Sequence, residues 1–251
     1  MATSFNPQVD GFPFINSWTF DSATDAEIHA KLNEAVGTIA GFLPFIPALA
    51  PIRASIQQTL NGWVDKASTK SYGLCGGMAF AALDYHIAER ALPNEPGPTD
   101  QLSAALRGYI LGRMKDSFFY ADPTPHYNLG KVLAWMGMEH LVPTGRRWLL
   151  GQCKQEFVKL QKQIATYGAW PLALIGEAQD PCENHQVLAY QCDPAANAIY
   201  IYDMNHPGAG RKLALDFSGA MLEAKYDFTG DSWQPLRAFF CEDYAPVTPT
   251  V

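Results

Sequence analysis

The sequence contains few charged residues, and its basic residues are scattered. Charged side chains account for 17% of the 251 residues, below the quarter that is usual for globular domains. Hydrophobic side chains account for 48%, which favours a compact chain with a large core over a disordered one. The net charge is −7, and no basic run is longer than Arg146-Arg147. The chain therefore lacks the basic patch that nucleic-acid binding requires.

A targeting segment is also lacking. Residues 1–6 have neither the basic region nor the apolar region of a signal peptide, so a cytoplasmic location is the default expectation, with non-classical secretion left open. The uncharged segment 36–52 approaches the length of a membrane span. However, it contains Pro44, Pro47 and Pro51, which disfavour a helix. We expect a buried, proline-shaped turn, and contact with a membrane or a partner is the alternative.

Cysteine is too scarce for a disulfide scaffold. The chain has five cysteines, an odd number, so at least one thiol is free; they are Cys75, Cys153, Cys182, Cys192 and Cys241. A pair between Cys182 and Cys192 across a hairpin is one alternative. Cys75 is the natural candidate for a free, functional thiol.

Helical and strand patterns occupy different halves of the chain. Helical spacing of apolar residues predicts helices at 24–39, 52–63, 75–90, 99–114, 128–138 and 147–165. Short apolar or alternating runs predict strands at 170–175, 185–190, 199–203, 212–217 and 236–241. The aromatic segment 11–20 is interpreted as a first strand or an edge segment. Helices followed by antiparallel strands indicate an α+β fold.

We expect a single domain over residues 1–251. Its parts are an N-terminal strand and helices over 1–70, a helical part over 71–168 and an antiparallel sheet over 169–245. The first helix begins at Thr24-Asp25-Ala26-Glu27, where the threonine and the glutamate form a capping box.

The stretch from Ser71 to His86 brings one cysteine to the start of an apolar helix. Gly76 and Gly77 follow Cys75 directly, and each costs the helix about 1 kcal/mol relative to alanine. We expect a close backbone approach at these glycines in compensation. A thiol at a helix N-terminus lies at the positive end of the dipole, which favours the thiolate. Cys75 is therefore a candidate nucleophile, and it needs a base.

His185 is the best candidate for that base. It begins the predicted strand 185–190, and Asp203 ends the next strand, with a turn signal at 193–197 between them. Hairpin geometry places His185 beside Asp203, whose carboxylate can fix the tautomer of the imidazole. Asn205 is an alternative orienting residue, and a purely structural role for His185 at the edge of its strand also remains open. His86 lies eleven residues beyond Cys75 on the same helix, too far away to contact the thiol.

This order of residues resembles the papain-like cysteine peptidase superfamily. The Gly-Leu-Cys-Gly-Gly loop, Asn184-His185 and the strand end at Asp203 are most similar in pattern to its bacteriocin-processing, transporter-associated branch and to uncharacterised relatives. The resemblance implies a nucleophile helix packed on a C-terminal antiparallel sheet. It also implies that Cys75 is the nucleophile, His185 the general base and then acid, and Asp203 the orienting residue. The implied substrate is a peptide or another amide, and no cofactor is expected.

The resemblance also implies an oxyanion hole. Its donors would be the Cys75 backbone amide and, in papain-like enzymes, a glutamine about six residues before the cysteine. That position is Thr69 in this sequence. Candidates for the missing donor are Ser71, Gln186, Gln57 and Gln58.

Other functions remain open at this point. The spacing of Cys182, His185 and Cys192, with Asp203 as a fourth ligand, permits a zinc site, although paired zinc-knuckle motifs are lacking. Acyl transfer to an amine or hydrolysis of a small amide would use the same Cys–His–Asp set. A catalytically weak binding or toxin-type module, with 36–52 as its contact surface, is a non-enzymatic alternative. The sequence does not indicate an oligomeric state.

Overall fold

The computed structural model describes most of the chain from Gly73 onward and a short N-terminal segment. The described ranges are 4–19, 73–118, 120–121, 125–126, 128–141, 143–178, 183–226 and 234–251, with isolated positions between 22 and 62. The helices in these ranges are α1 (Cys75–Ile87), α2 (Ala104–Phe118), α3 (Asn128–Leu141) and α4 (Gly145–Tyr167).

The strands belong to two antiparallel sheets. The small sheet pairs β1 (Tyr120–Ala121) with β2 (Pro125–His126). The strands of the large sheet are β3 (Trp170–Ile175), β4 (His185–Asp193), β5 (Ala198–Tyr202), β6 (Gly210–Asp216), β7 (Glu223–Tyr226), β8 (Gln234–Pro235) and β9 (Ala238–Cys241). Their order is β8-β7-β6-β5-β4-β3-β9, and every neighbouring pair is antiparallel. The predicted α+β class, with helices before an antiparallel sheet, is confirmed.

Helix α1 is the central element of the core. Residues Gly76 to Tyr85 are all buried, so the helix is enclosed on every side by its neighbours, and all of these residues except Asp84 are uncharged. A Cβ at Gly76 would overlap the side chains of Gln186 and Ser117, and a Cβ at Gly77 would overlap the Ile110 carbonyl of α2. The expected close approach at the two glycines is therefore confirmed.

A buried ion pair joins α1 to α2 and to the C-terminal segment. Arg113 donates from Nε to Asp84 Oδ2 at 2.6 Å. Asp84 also accepts from the hydroxyls of Tyr109 (2.8 Å) and Tyr244 (2.6 Å) and from the Val247 amide (2.9 Å). Breaking a buried pair leaves the other charge uncompensated, which is strongly unfavourable.

We expect Asp84→Asn to lower the free energy of unfolding by about 3–5 kcal/mol. The variant keeps the shape of the side chain but leaves the Arg113 guanidinium, whose side chain is 4% exposed, without its buried counter-charge. Urea denaturation of both proteins measures the difference. Asp116→Asn is the matched control, because Asp116 also contacts Arg113 but is 45% exposed and should contribute less than about 1 kcal/mol. Equal effects of the two substitutions would contradict the prediction.

Two predicted elements differ from the structure. The predicted N-terminal strand over 11–20 is wrong for the described residues 11–19, which form bends and irregular backbone. One of their amides, that of Asn16, donates to the Met204 carbonyl in the loop after β5 (3.0 Å) instead of forming a ladder. The helix predicted from Thr99 begins instead at Ala104, after a 3₁₀ turn at Thr99–Gln101. Ser103 Oγ accepts from the Leu106 amide at 3.2 Å, and this capping bond marks the true start.

Several predictions lie outside the described residues. These are the capping box at Thr24 and Glu27, most of the helix at 52–63 and most of the apolar segment 36–52. Among the described residues, no helix is both long enough and apolar enough to cross a membrane.

Candidate active site

His185 and Asp203 lie side by side, as the hairpin predicted. Strands β4 and β5 pair with Leu188 opposite Tyr202, which brings the first residue of β4 next to the residue that follows β5. His185 Nε2 and Asp203 Oδ1 are 2.8 Å apart. The predicted proximity of the two side chains is confirmed.

Cys75 belongs to the surroundings of the same imidazole. Its sulfur, on the first residue of α1, is one of the groups whose interaction raises the pKa of His185. Because Asp203 occupies Nε2, the nitrogen left for the sulfur is Nδ1. The imidazole therefore lies between a thiol and a carboxylate, which is the arrangement that an activated nucleophile requires.

The surroundings of His185 favour its protonated form. Burial by itself lowers the pKa of His185, but hydrogen bonds with Asp203 and with Cys75 outweigh it and raise the pKa to about 10. The side chain keeps 23% of its surface exposed. At neutral pH the imidazole is therefore an imidazolium that can stabilise a thiolate on one side and a carboxylate on the other.

Asp203 is held as a carboxylate by three donors. Its side chain is fully buried. It accepts from His185, from the Asn205 amide (2.9 Å) and from the Tyr226 hydroxyl (3.1 Å). Burial alone would raise the pKa of Asp203, but these hydrogen bonds and the charge of His185 hold it below its ordinary value.

Two of these contacts concern residues outside the expected triad. Asn205, the alternative orienting residue, supports Asp203 through its backbone, and its Nδ2 lies 3.5 Å from His185 Nε2, a weaker contact. Tyr226 was missed by the sequence analysis. It lies on β7, a four-residue strand whose sequence EAKY carries neither the length nor the alternation that predicts a strand.

Gln186 reaches the Cys75 thiol with its oxygen and not with its nitrogen. Gln186 Oε1 lies 3.7 Å from Cys75 Sγ, and Nε2 donates to the Glu242 carboxylate. Glu242 Oε1 can accept this bond whether the carboxyl is ionised or carries its proton on Oε2, and the bond turns Nε2 away from the thiol. Gln186 was expected as a candidate oxyanion donor, whereas its donor atom is turned away from the thiol.

Only one of the other oxyanion candidates lies within the described residues. Ser71 and Gln57, like Thr69, are outside the described residues, and Gln58 is an exposed helical residue. In the described part of the chain, the N-terminus of α1 has no side-chain cap. The first amides of this helix therefore lack the partner that a cap would supply.

Glu242 is a buried carboxyl that adjoins this site through Gln186. It is 1% exposed, and within the described structure its Oε2 has no hydrogen-bond partner. Burial raises the pKa of Glu242 to about 8, against the opposing hydrogen bond from Gln186. The sequence showed no sign of it, because the carboxyl follows directly after the buried strand β9 and resembles any polar residue at a strand end.

We expect Glu242→Gln to stabilise the protein above pH 8 and to leave it unchanged near pH 4. The folded pKa of Glu242 is about 8 and its ordinary value is 4.5, so the folded state holds a proton that the unfolded state has released between these values. Stability then falls as pH rises through this window. Thermal melts should give the variant a Tm higher by about 5 °C or more at pH 8–9. The exposed Glu89→Gln is the control, and a Tm difference independent of pH would contradict this expectation.

The other described thiols have environments that suppress ionisation. Cys153 is buried and Cys192 half-buried, and burial raises the pKa of each to about 12. Burial also raises the pKa of Cys241. Cys192 is a free thiol. Cys182 lies outside the described residues; it is the suggested disulfide partner of Cys192 and a member of the alternative zinc set. No group of three His, Cys, Asp or Glu residues in the described ranges is arranged to hold a metal ion.

A cavity of about 550 Å³ lies at the other end of α1, lined by residues that include Asp10, Tyr85 and His86. His86 is eleven residues beyond Cys75, about 16 Å along the helix, and pairs with Asp10 at 3.3 Å. This histidine does not belong to the Cys75 site, as the sequence predicted.

Comparisons of the chain with protein-family models, with curated proteins and with solved structures found no match in any of the three. The function of the site is therefore argued from its own geometry and chemistry.

Proposed function

We propose that this protein is a papain-like thiol hydrolase, a cysteine peptidase that cleaves amide bonds through Cys75, His185 and Asp203. The observation that carries the proposal is the His185 imidazole, whose Nε2 lies 2.8 Å from Asp203 Oδ1 and whose pKa is raised by Asp203 and by Cys75. A nucleophile, a base within hydrogen-bond reach and a group that orients the base are the parts that thiol catalysis needs.

The same geometry defines the steps of the reaction. The Cys75 thiolate attacks the amide carbonyl carbon, forming the S–C bond and a tetrahedral oxyanion. The C–N bond then breaks as the His185 imidazolium donates its Nδ1 proton to the leaving amine. His185 next takes a proton from water, whose oxygen attacks the thioester, releases the acid and restores the thiolate–imidazolium pair. Asp203 stabilises the imidazolium at Nε2 throughout.

The arrangement of elements supports the papain-like part of the proposal. The nucleophile is on the first residue of α1, a buried helix that packs against β4 and β3 of the antiparallel sheet. The base begins β4, and the orienting carboxylate follows β5. This is the order of elements on which the resemblance of the sequence to that superfamily depends.

The proposal is tested with a mixture of peptides that carry different side chains around the scissile bond. Wild-type protein should release new peptide N-termini and should form a thioester adduct on Cys75, visible by intact mass after an acid quench. Cys75→Ala should do neither, and Cys192→Ala should behave as wild type. Failure of the wild type to acylate with peptides or with activated esters would overturn the proposal.

Added amines distinguish hydrolysis from acyl transfer. If the thioester passes to an added amine in preference to water, the protein is a transferase on the same triad, and the amide product identifies it. If Cys75 neither acylates nor reacts faster with alkylating agents than the other cysteines, the binding-module alternative is favoured.

A further inference from the structure

Asn16 contacts the residue that precedes Cys75, a position that the sequence did not indicate. It lies in the irregular N-terminal segment, and its backbone amide donates to the Met204 carbonyl in the loop that carries Asp203 and Asn205 (3.0 Å). Its side chain reaches the other way, to the residue just before Cys75. Asn16 Oδ1 accepts from the Leu74 amide at 2.8 Å.

The orientation of the Asn16 amide is fixed by its oxygen. Oδ1 accepts a second hydrogen bond, from the Trp18 indole nitrogen at 2.9 Å. Both partners are N–H groups, which only donate, so the amide cannot be turned around without losing two hydrogen bonds. Nδ2 therefore points away from Leu74, and its partner there is Asn205 Oδ1 at 3.2 Å.

The loop before Cys75 is shaped to admit this side chain. A Cβ at Gly73 would overlap Asn16 Nδ2, so only glycine allows the amide to lie over the loop at this distance. A primary amide carries two N–H donors, and Asn205 takes one of them. Among the described residues the other has no acceptor, so it is available to a group bound at the N-terminus of α1.

We propose that Asn16 supplies the side-chain donor of the oxyanion hole and acts together with the Cys75 backbone amide. This inference rests on the proposed function. The N-terminal segment then replaces the glutamine that papain-like enzymes carry six residues before the cysteine, where this chain has Thr69. The N-terminal segment thereby contributes one residue, Asn16, to the catalytic apparatus.

The orientation of the Gln186 amide argues against Gln186 as the oxyanion donor. Gln186 lies beside Cys75 but presents Oε1 to it while Nε2 is bound to Glu242. An oxyanion needs a donor, and an amide oxygen in that place would repel it. Asn16 presents the opposite end of its amide, with the oxygen occupied by Leu74 and Trp18.

Two reactions of Cys75 distinguish an oxyanion-donor role of Asn16 from a purely structural role of this residue. Alkylation by iodoacetamide is a displacement at carbon that develops no oxyanion, so it reports only on the thiolate. Acylation by p-nitrophenyl acetate passes through a tetrahedral oxyanion before p-nitrophenolate leaves. Asn16→Ala should slow acylation by about 10²–10³-fold and change alkylation by less than about threefold.

Asn16→Asp tests the same point without removing the acceptor. The aspartate keeps an oxygen for Leu74 and Trp18 but replaces the Nδ2 donor by a second oxygen. The ratio of the acylation rate to the alkylation rate should fall at least as far as in Asn16→Ala. Asn6→Ala, an exposed asparagine in the same segment, should leave both rates unchanged.

The outcomes distinguish this proposal from the proposed function. Equal losses of acylation and alkylation in both variants would mean that Asn16 only holds the loop in place. Unchanged acylation would mean that Asn16 plays no part in the reaction. Either result overturns the inference while leaving the proposed triad intact. A wild-type protein that alkylates rapidly but does not acylate would overturn the proposed function and the inference with it.

Discussion

Replacement of His185 by alanine is expected to slow the alkylation of Cys75 at pH 6–7 by about 10²-fold. The imidazolium persists at these pH values because hydrogen bonds with Asp203 and Cys75 raise the pKa of His185 to about 10. Alkylation requires the thiolate, and without the neighbouring cation the sulfur stays protonated. The rate is measured with limiting iodoacetamide, followed by peptide mapping of the labelled cysteine.

The pH dependence makes this prediction specific. The two proteins are compared at each pH from 6 to 9, a range over which the wild type keeps the imidazolium. In His185→Ala the rate should rise with pH toward the wild-type value, as hydroxide ionises an isolated thiol. An alkylation rate at Cys75 that is the same in both proteins at pH 6 would contradict the assignment of His185 as the partner of the thiol.

The chain offers internal controls for this experiment. His86→Ala removes a histidine from the opposite end of the same helix and should leave the labelling of Cys75 unchanged. Cys153 and Cys192 report on non-specific labelling, since burial raises the pKa of each to about 12. Both should be labelled far more slowly than Cys75 in all variants.

Asp203→Asn is expected to lower the rate of amide hydrolysis by about 10²–10⁴-fold. The substitution preserves the shape of a fully buried side chain and leaves an oxygen to accept from His185 and from the Asn205 amide. It removes the charge that stabilises the imidazolium. The pKa of His185 should therefore fall from about 10 toward its ordinary value of 6.5, and His185 would lose the proton that the leaving amine needs.

The direction of the pH shift follows from the raised pKa of the histidine. In the wild type, hydrolysis should decline only as pH approaches about 10, where the imidazolium deprotonates. In Asp203→Asn this alkaline decline should move to lower pH by more than one unit. The rate–pH profile is measured with a peptide substrate at concentrations well below KM, so that it reports kcat/KM.

Asp216→Asn is the matched control for this substitution. Asp216 also ends a strand and accepts from a backbone amide two residues on, that of Ser218 at 2.8 Å, but it does not contact His185. The Asp216→Asn substitution should leave the rate–pH profile unchanged. A profile for Asp203→Asn that keeps the alkaline decline near pH 10 would show that the carboxylate is not what stabilises the imidazolium.

Local sequence patterns predicted the elements that carry the triad. The apolar run at 170–175 coincides with β3, and His185 and Asp203 fall at the two adjoining strand ends because a turn signal at 193–197 defined their hairpin. The positions of strands and hairpins depend on the spacing of hydrophobic residues and on turn-forming residues within a short stretch. A single sequence displays both of these signals. The position of Cys75 at the first residue of α1 belongs to the same class.

Contacts between distant segments were not predictable in this way. Asn16 lies 58 residues before Leu74 and 189 before Asn205, and no periodicity relates these positions. Tyr226 and Glu242 reach the site only because β7 and β9 occupy particular places in the sheet order. The orientation of the Gln186 amide was not predictable for the same reason, since its Nε2 is bound to Glu242, a residue 56 positions away.

Local propensity also indicated one strand that does not form and one helix start that lies too early. The aromatic pattern at 11–20 resembles a strand, but tertiary bonds such as that from the Asn16 amide to Met204 hold the described residues in an irregular path. The segment between Thr99 and Ser103 was read as helix because Leu102 fits the apolar stripe that continues in α2. Leu102 is indeed buried, although it lies before the capped start of that helix.

The protonation state of His185 tests the central claim most directly. Nitrogen-15 NMR of the imidazole can follow this residue through a pH titration in the wild type and in Cys75→Ala. We predict an imidazolium at pH 7 that titrates near pH 10 in the wild type, with the pKa lowered in Cys75→Ala because the thiolate partner is gone. An imidazole that titrates near 6.5 in both proteins would contradict the thiolate–imidazolium pair and, with it, the catalytic role of Cys75.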